Sequence, residues 1–210
     1  MFDIGKISFN LDKDFVDGFK GSQPKWGPLG YITYKRTYAR DIGNSKTEEF
    51  YQTLERVVNG CFSIQKNHCI SNRLPWSDER AQRTAQKMFQ RMWDFKFLPP
   101  GRGLWVMGTD HILKNGSAAL NNCAFVSTIK NLPNAMSTLI DLLMLGVGVG
   151  FDLKGAGTKL IRASNRKEEL IIDDSREGWC KALLTLIESY TNVDYFVPGV
   201  KFNYTKIRPA

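Results

Sequence analysis

Behind Ser77-Asp78-Glu79, the apolar residues Ala81, Ala85, Met88, Phe89, Met92 and Trp93 return at three- and four-residue steps. That is the pattern of an N-capped helix with one stripe turned to a core. A second helix is predicted from Ser45, with Glu48 completing a capping box and Phe50, Leu54, Val57 and Val58 on one face, stopping near Asn59-Gly60. Asn134 is placed to cap a third, carrying Met136, Leu139, Ile140 and Leu143. Asp174 with Glu177 opens a fourth, whose stripe is Trp179, Ala182, Leu183, Leu186, Ile187 and Tyr190. Shorter runs read as strands: Cys123 to Thr128, buried, with Cys123, Phe125 and Ser127 on one face; glycine-opened Gly146 to Leu153; and Tyr195 to Tyr204. Tyr31 to Tyr38 fits a strand or a helix start equally. Met1 to Gly30 reads as irregular, and Leu98-Pro99-Pro100 ends any helix before a flexible Gly101-Arg102-Gly103 turn with one guanidinium.

Strand, helix and strand in succession from Cys123 to Leu153 imply a parallel pair joined by a crossover. The fold class is therefore α/β, with residues 1–95 mainly helical and 96–210 the first part of a sheet or barrel whose ligand site lies at the strand ends. The last strand-like run lies close to Ala210, so its edge and faces are expected to need cover from elsewhere.

Composition adds limits. Hydrophobic residues make up 42% and charged residues 24% of the 210, which is ordinary for a globular protein and excludes a disordered or fibrous class. The net charge of +8 favours anionic partners, nucleotides and nucleic acid alike. Basic and aromatic residues interleave in Tyr34-Lys35-Arg36-Thr37-Tyr38-Ala39-Arg40, a cluster that suits either a nucleic-acid face or an amphipathic segment. The N-terminus lacks the basic-then-apolar order of a secretory signal, and the apolar run from Ala135 to Phe151 is interrupted by Asp141 and glycines, so no membrane partner and a cytoplasmic protein are expected.

Four cysteines, Cys61, Cys69, Cys123 and Cys180, show no metal-ligand spacing, and His68-Cys69 has no second pair; no metal is expected. Cys123 follows two carboxamides, Asn121 and Asn122, and precedes the Gly146-Val147-Gly148-Val149-Gly150 run. Free cysteine is commonly a core residue. The same arrangement also suits a reactive site, and in a reducing compartment a useful lone thiol is more often catalytic than a bridge.

Several stretches together are similar to one family. They are Trp26-Gly27-Pro28-Leu29-Gly30 running into Tyr31–Arg40, Pro100-Gly101-Arg102-Gly103-Leu104-Trp105, Leu120-Asn121-Asn122-Cys123, Gly148-Val149-Gly150-Phe151, Ser175-Arg176-Glu177-Gly178-Trp179 and Ile207-Arg208-Pro209. In this order they resemble the adenosylcobalamin-dependent, class II ribonucleotide reductases, their ribonucleoside-triphosphate branch above all. The resemblance implies the N-terminal portion of a ten-stranded α/β barrel, incomplete in this chain. It implies that Cys123 is one of two redox-active cysteines and that Pro100, Gly101, Asn122 and Gly148 line the ribose and phosphate side. The loop from Lys154 to Lys159 would open the region that reads a deoxynucleotide effector. Adenosylcobalamin is the implied cofactor, bound mainly by a C-terminal reductase portion that also carries the thiyl-radical cysteine and the second redox cysteine. A thioredoxin-like reductant is the implied electron source. Cys180 matches none of the family's reactive cysteines and is expected to pack in the core. The Gly-Val-Gly-Val-Gly run carries valine where the family has a further glycine.

The function expected is therefore part of a ribonucleotide reductase, an enzyme needing the C-terminal portion for activity. Two other readings compete: a non-catalytic nucleotide-binding or regulatory protein of reductase shape, and a basic nucleic-acid-binding module, which would show steep salt dependence.

Overall fold

A computed structural model describes residues 6–157, 161, 166–191 and 198–209. It divides into two compact units, Met1–Leu120 and Asn121–Ala210. The first is helical: α1 (Lys13–Asp17), α2 (Pro28–Thr37), a hairpin of β1 (Asp41–Gly43) and β2 (Lys46–Thr47), α3 (Phe50–Ser71), α4 (Asp78–Trp93), α5 (Gly101–Val106), α6 (Asp110–Asn115) and a 3-10 turn at Ser117–Leu120. Because α5 packs on α3, and the 3-10 turn on α5 and α6, this unit extends past the residue 95 boundary expected for the helical region.

The α4 stripe lies as expected, with Ala81, Ala85, Phe89 and Met92 buried and the Ser77 side chain accepting from the Arg80 amide. α3 differs at both ends. Asn44 and Ser45 take positive φ of 54° and 58° in the hairpin turn, so Ser45 is no helix cap; Glu49 and Gln52 form the capping box instead. At the far end α3 runs through Asn59-Gly60, because the core uses both residues. Asn59 Oδ1 accepts from the Leu11 amide at 2.8 Å, and Gly60 lies against Gly108 so closely that a Cβ would sit 2.7 Å from the Gly108 nitrogen. Tyr31–Thr37 resolves as helix with Tyr38 as its C-cap, since Pro28 pre-sets the first turn of α2. Within the N-terminal stretch expected to be irregular, Asp12 caps α1, and Phe15 and Phe19 join an aromatic core: Phe19 lies 4.8 Å from Phe89 and 4.9 Å from Trp93.

A polar network crosses that core. Glu48, only 5% exposed, pairs with Arg56 at 2.7 Å. It also accepts from Thr53 Oγ1 at 2.7 Å and from the Arg40 amide at 3.2 Å. Burial pushes the Glu48 carboxyl up, but the hydrogen bond and charge of Arg56, with those of Thr53 and the Arg40 amide, outweigh it and hold the group below the usual carboxylate range. Tyr34 is buried and shares a 2.7 Å hydrogen bond with Thr53, while Lys35 pairs with Glu49 at 2.6 Å and Arg40 sits 5.0 Å over the Trp105 ring. Members of the basic-aromatic cluster are thus engaged within the fold rather than arrayed for nucleic acid.

The second unit contains β3 (Cys123–Val126), α7 (Leu132–Met144), β4 (Gly148–Phe151), β5 (Lys167–Ile171), α8 (Arg176–Thr191) and β6 (Gly199–Asn203). β3 and β4 pair in parallel across α7, and β5 and β6 in parallel across α8. These are two right-sized strand-helix-strand units, the α/β organisation expected. The helices pack on each other. Ser137 Oγ donates to the Cys180 carbonyl at 3.2 Å, and Arg176 bridges to Asp141 at 2.9 Å. Asn131, not Asn134, caps α7: its side chain accepts from the Asn134 amide at 3.0 Å, which places Pro133 in the first turn where its missing N–H costs nothing. At α8 the Ser175 hydroxyl accepts from the Gly178 amide at 3.0 Å, and Asp174 instead faces Arg208. β5 was not foreseen, since Lys167-Glu168-Glu169 is exposed and charged. Of the terminal run, residues 195–197 lie outside the described residues. Among the described residues no helix is long and apolar enough to cross a membrane.

Candidate functional site

Cys123 opens β3 directly opposite Gly148 of β4, and the Asn122 carbonyl accepts from the Gly148 amide at 2.8 Å. Three of the residues singled out from sequence, Asn122, Cys123 and Gly148, are therefore brought together by one parallel register. The strand is not buried as expected. Cys123 is exposed and Phe125 is 65% exposed, because among the described residues β3 bonds to β4 alone. Among the described residues, a Cβ on Gly148 would meet only the Asn122 carbonyl oxygen at an ordinary 3.6 Å, so the position opposite Cys123 has room for a side chain.

At the other end of the strands the pair is fastened by side chains. The Thr128 amide donates to Asp152 Oδ1 at 3.1 Å, and Thr128 Oγ1 donates to the Asp152 carbonyl and carboxylate at 2.9 Å each. A hydrogen bond from Ser127, then those from Thr128, hold the Asp152 carboxyl below its usual range. Beyond it the Lys154 turn lies against the segment that follows β3, with Gly155 close to the Thr128 carbonyl. Lys159 lies outside the described residues. This clasp was missed from sequence, where its only sign was a hydroxyl and a carboxylate just past two apolar runs.

Pro100 and Gly101 belong to the first unit. Gly101-Arg102-Gly103 is not a flexible turn but the first turn of α5, with Pro100 as N-cap and the Leu104 amide donating to the Pro100 carbonyl at 3.2 Å. Gly101 lies under Tyr38: a Cβ there would come within 2.8 Å of the ring. Arg102 reaches the Ala119 carbonyl at 3.4 Å.

The other three thiols are partly buried. Burial raises Cys61, and burial together with the Asp141 carboxylate pushes Cys180 up to about 11. Cys180 is half-buried, with its sulfur 3.6 Å from Asp141. Among the described residues no three His, Cys, Asp or Glu side chains gather as a metal site requires.

Residues 11–109 match the ribonucleotide reductase alpha domain. The chain is 39% identical to the adenosylcobalamin-dependent ribonucleoside-triphosphate reductase of Euglena gracilis, over 95% of this chain and 28% of that protein. It is 38% identical to the probable enzyme of that name from Dictyostelium discoideum, over 87% of this chain and 27% of the relative. The crystal structure of a B12-dependent class II ribonucleotide reductase superposes with a TM-score of 0.82 at 25% identity, covering 96% of this chain and 36% of that one. The chain thus spans under a third of the length of these curated relatives. With these likenesses spread over both units, the chain belongs to the class II ribonucleotide reductase family.

Proposed function

We propose that this chain supplies part of the active site of a ribonucleoside-triphosphate reductase, and that Cys123 is one of the two thiols that reduce the ribose. The observation that carries the reading is the exposed Cys123 opposite Gly148, where among the described residues a Cβ would meet nothing nearer than the Asn122 carbonyl oxygen at 3.6 Å. In the reaction the 2′-hydroxyl leaves as water and hydrogen takes its place. Two thiols, Cys123 and one on further reductase polypeptide, lose two electrons and two protons and close to a disulfide. Exchange with a thioredoxin-like dithiol in the cytoplasm reopens it. Asn122 and Gly148 border the ribose, where close backbone approach favours glycine, and the Pro100-Gly101 turn takes the phosphate side. The Lys154 turn, with Lys159, reads the deoxynucleotide effector.

Adenosylcobalamin, the cofactor in the relatives' names, supplies the radical that starts such chemistry. His68 and His111 each keep Nδ1 3.2 Å from an asparagine amide one helical turn on, and among the described residues no cluster of donors forms. The seat for the cobalamin is assigned, in this reading, to the remaining polypeptide. The same polypeptide would cover Phe125 and Phe151, apolar residues left exposed on β3 and β4.

Assembling the chain with the rest of the reductase and adding adenosylcobalamin, a ribonucleoside triphosphate and a dithiol should yield deoxynucleotide. Cys123→Ser should abolish that turnover. Full dithiol-driven activity in the variant contradicts the role, and deoxynucleotide binding without turnover in any assembly favours a regulatory protein instead.

A further inference from the structure

We propose that Glu48 and Arg56 are positioning residues that set the Pro100-Gly101 turn for the substrate's phosphate side, which rests on the role given to that turn above. A buried ion pair is weak evidence for stability, because desolvating both charges offsets most of their attraction. Its purpose is therefore read from where its other hydrogen bonds go: Glu48 also accepts from Thr53 Oγ1 at 2.7 Å, and those of Arg56 go to α5. Glu48 grips Arg56 with both oxygens, Oε1 to Nε at 2.7 Å and Oε2 to Nη2 at 2.9 Å. Arg56 Nη2 then donates to the Leu104 carbonyl at 2.9 Å, and Nη1 donates to the Met107 carbonyl. Both carbonyls belong to the C-terminal end of α5, which the helix itself leaves without partners. Glu48 also accepts from the amide of Arg40, whose guanidinium covers Trp105 of α5 at 5.0 Å.

α5 needs such outside support. It has six residues, too few to hold helical shape alone, and Gly101 and Gly103 bring no side chains to pack. Its N-terminal end is limited by the Tyr38 ring above Gly101, and its C-terminal end by Arg56. With one end seated under a ring and the other held by a fork of donors, the position of Pro100-Gly101 follows from the Glu48–Arg56 geometry.

The test uses Arg56→Lys, which keeps the charge but loses the fork, and Glu48→Gln, which keeps the shape but loses the charge; the second serves should the first not fold. Kinetics are measured in the assembly with the remaining reductase polypeptide, and amide exchange in this chain. Phe89→Leu in the α4 core is the control for lost stability alone. KM for the ribonucleoside triphosphate should rise about tenfold, the loss of one hydrogen bond to a charged group, with kcat nearly unchanged. Exchange should quicken from Leu104 to Gly108 and not along α4, while Phe89→Leu should lower the melting temperature without moving KM. An unchanged KM in both variants, or an equal rise in the control, overturns the proposal. If Cys123→Ser is dead while KM stays put, only this inference falls; if the wild-type assembly neither binds nor turns over nucleotide, the functional reading falls and takes it along.

Discussion

A thiol is a nucleophile only as thiolate and only where a reagent can reach it. Cys123 is exposed, Cys61 is raised by burial, and Cys180 is pushed up to about 11 by burial and the neighbouring Asp141. Limiting iodoacetamide at neutral pH should therefore label Cys123 well before Cys61 and Cys180, with Cys180 gaining reactivity only as pH climbs toward 11. Peptide mapping by mass spectrometry checks the order, and early labelling of Cys180 would contradict its placement. The identity of Cys123 as the residue to watch was open to a reader of the sequence. Its exposure was not, because an alternating apolar run looks the same whether its second face and edge are covered or bare.

At the scale of elements, close approach decides what the helical unit tolerates. Gly60 of α3 meets Gly108 beyond α5, and Gly108 has a φ of +76° with a Cβ that would overlap the Arg56 carbonyl oxygen. Gly108→Ala meets both strain and overlap, and should cost about 2 kcal/mol or more in urea unfolding. Ala at Gly27, where nothing lies within 4 Å and φ is −81°, should cost far less. The Glu48–Arg56 pair adds a pH dependence. Its carboxyl is depressed in the folded state, so the pair's contribution is complete above the unfolded carboxyl's value and is lost as pH falls through the lower folded one. Stability of the wild type should drop through the acid range more steeply than that of Glu48→Gln, and equal slopes would show that the group does not titrate as its partners require. Helix content was legible from three- and four-residue spacing in α4 and α8, whereas the ends of α3 and α7 were not. Glu49 rather than Ser45, and Asn131 rather than Asn134, became caps through a hairpin turn and a proline that local spacing does not weigh.

For the molecule as a whole, the chain alone should show no deoxynucleotide formation under conditions where the assembled reductase is active, since the role proposed for Cys123 supplies only one of the two thiols the reaction needs. An active isolated chain would require a second reducing cysteine within it, which the half-buried Cys180, with its raised thiol, is not suited to be. The amino-acid sequence by itself determined the helical stripes, the strand-helix-strand order from Cys123 to Phe151, and the reductase motifs, because each is written in side chains a few positions apart. Only the tertiary structure decided that α3 continues through Gly60, that Gly101-Arg102-Gly103 is a helical turn, that Thr128 and Asp152 clasp the strand ends, and that Arg56, held by Glu48, reaches α5. Those outcomes rest on partners distant in sequence, such as Gly60 with Gly108 and Arg56 with Leu104, and no local pattern records which distant backbone will arrive to fill a space or take a hydrogen bond.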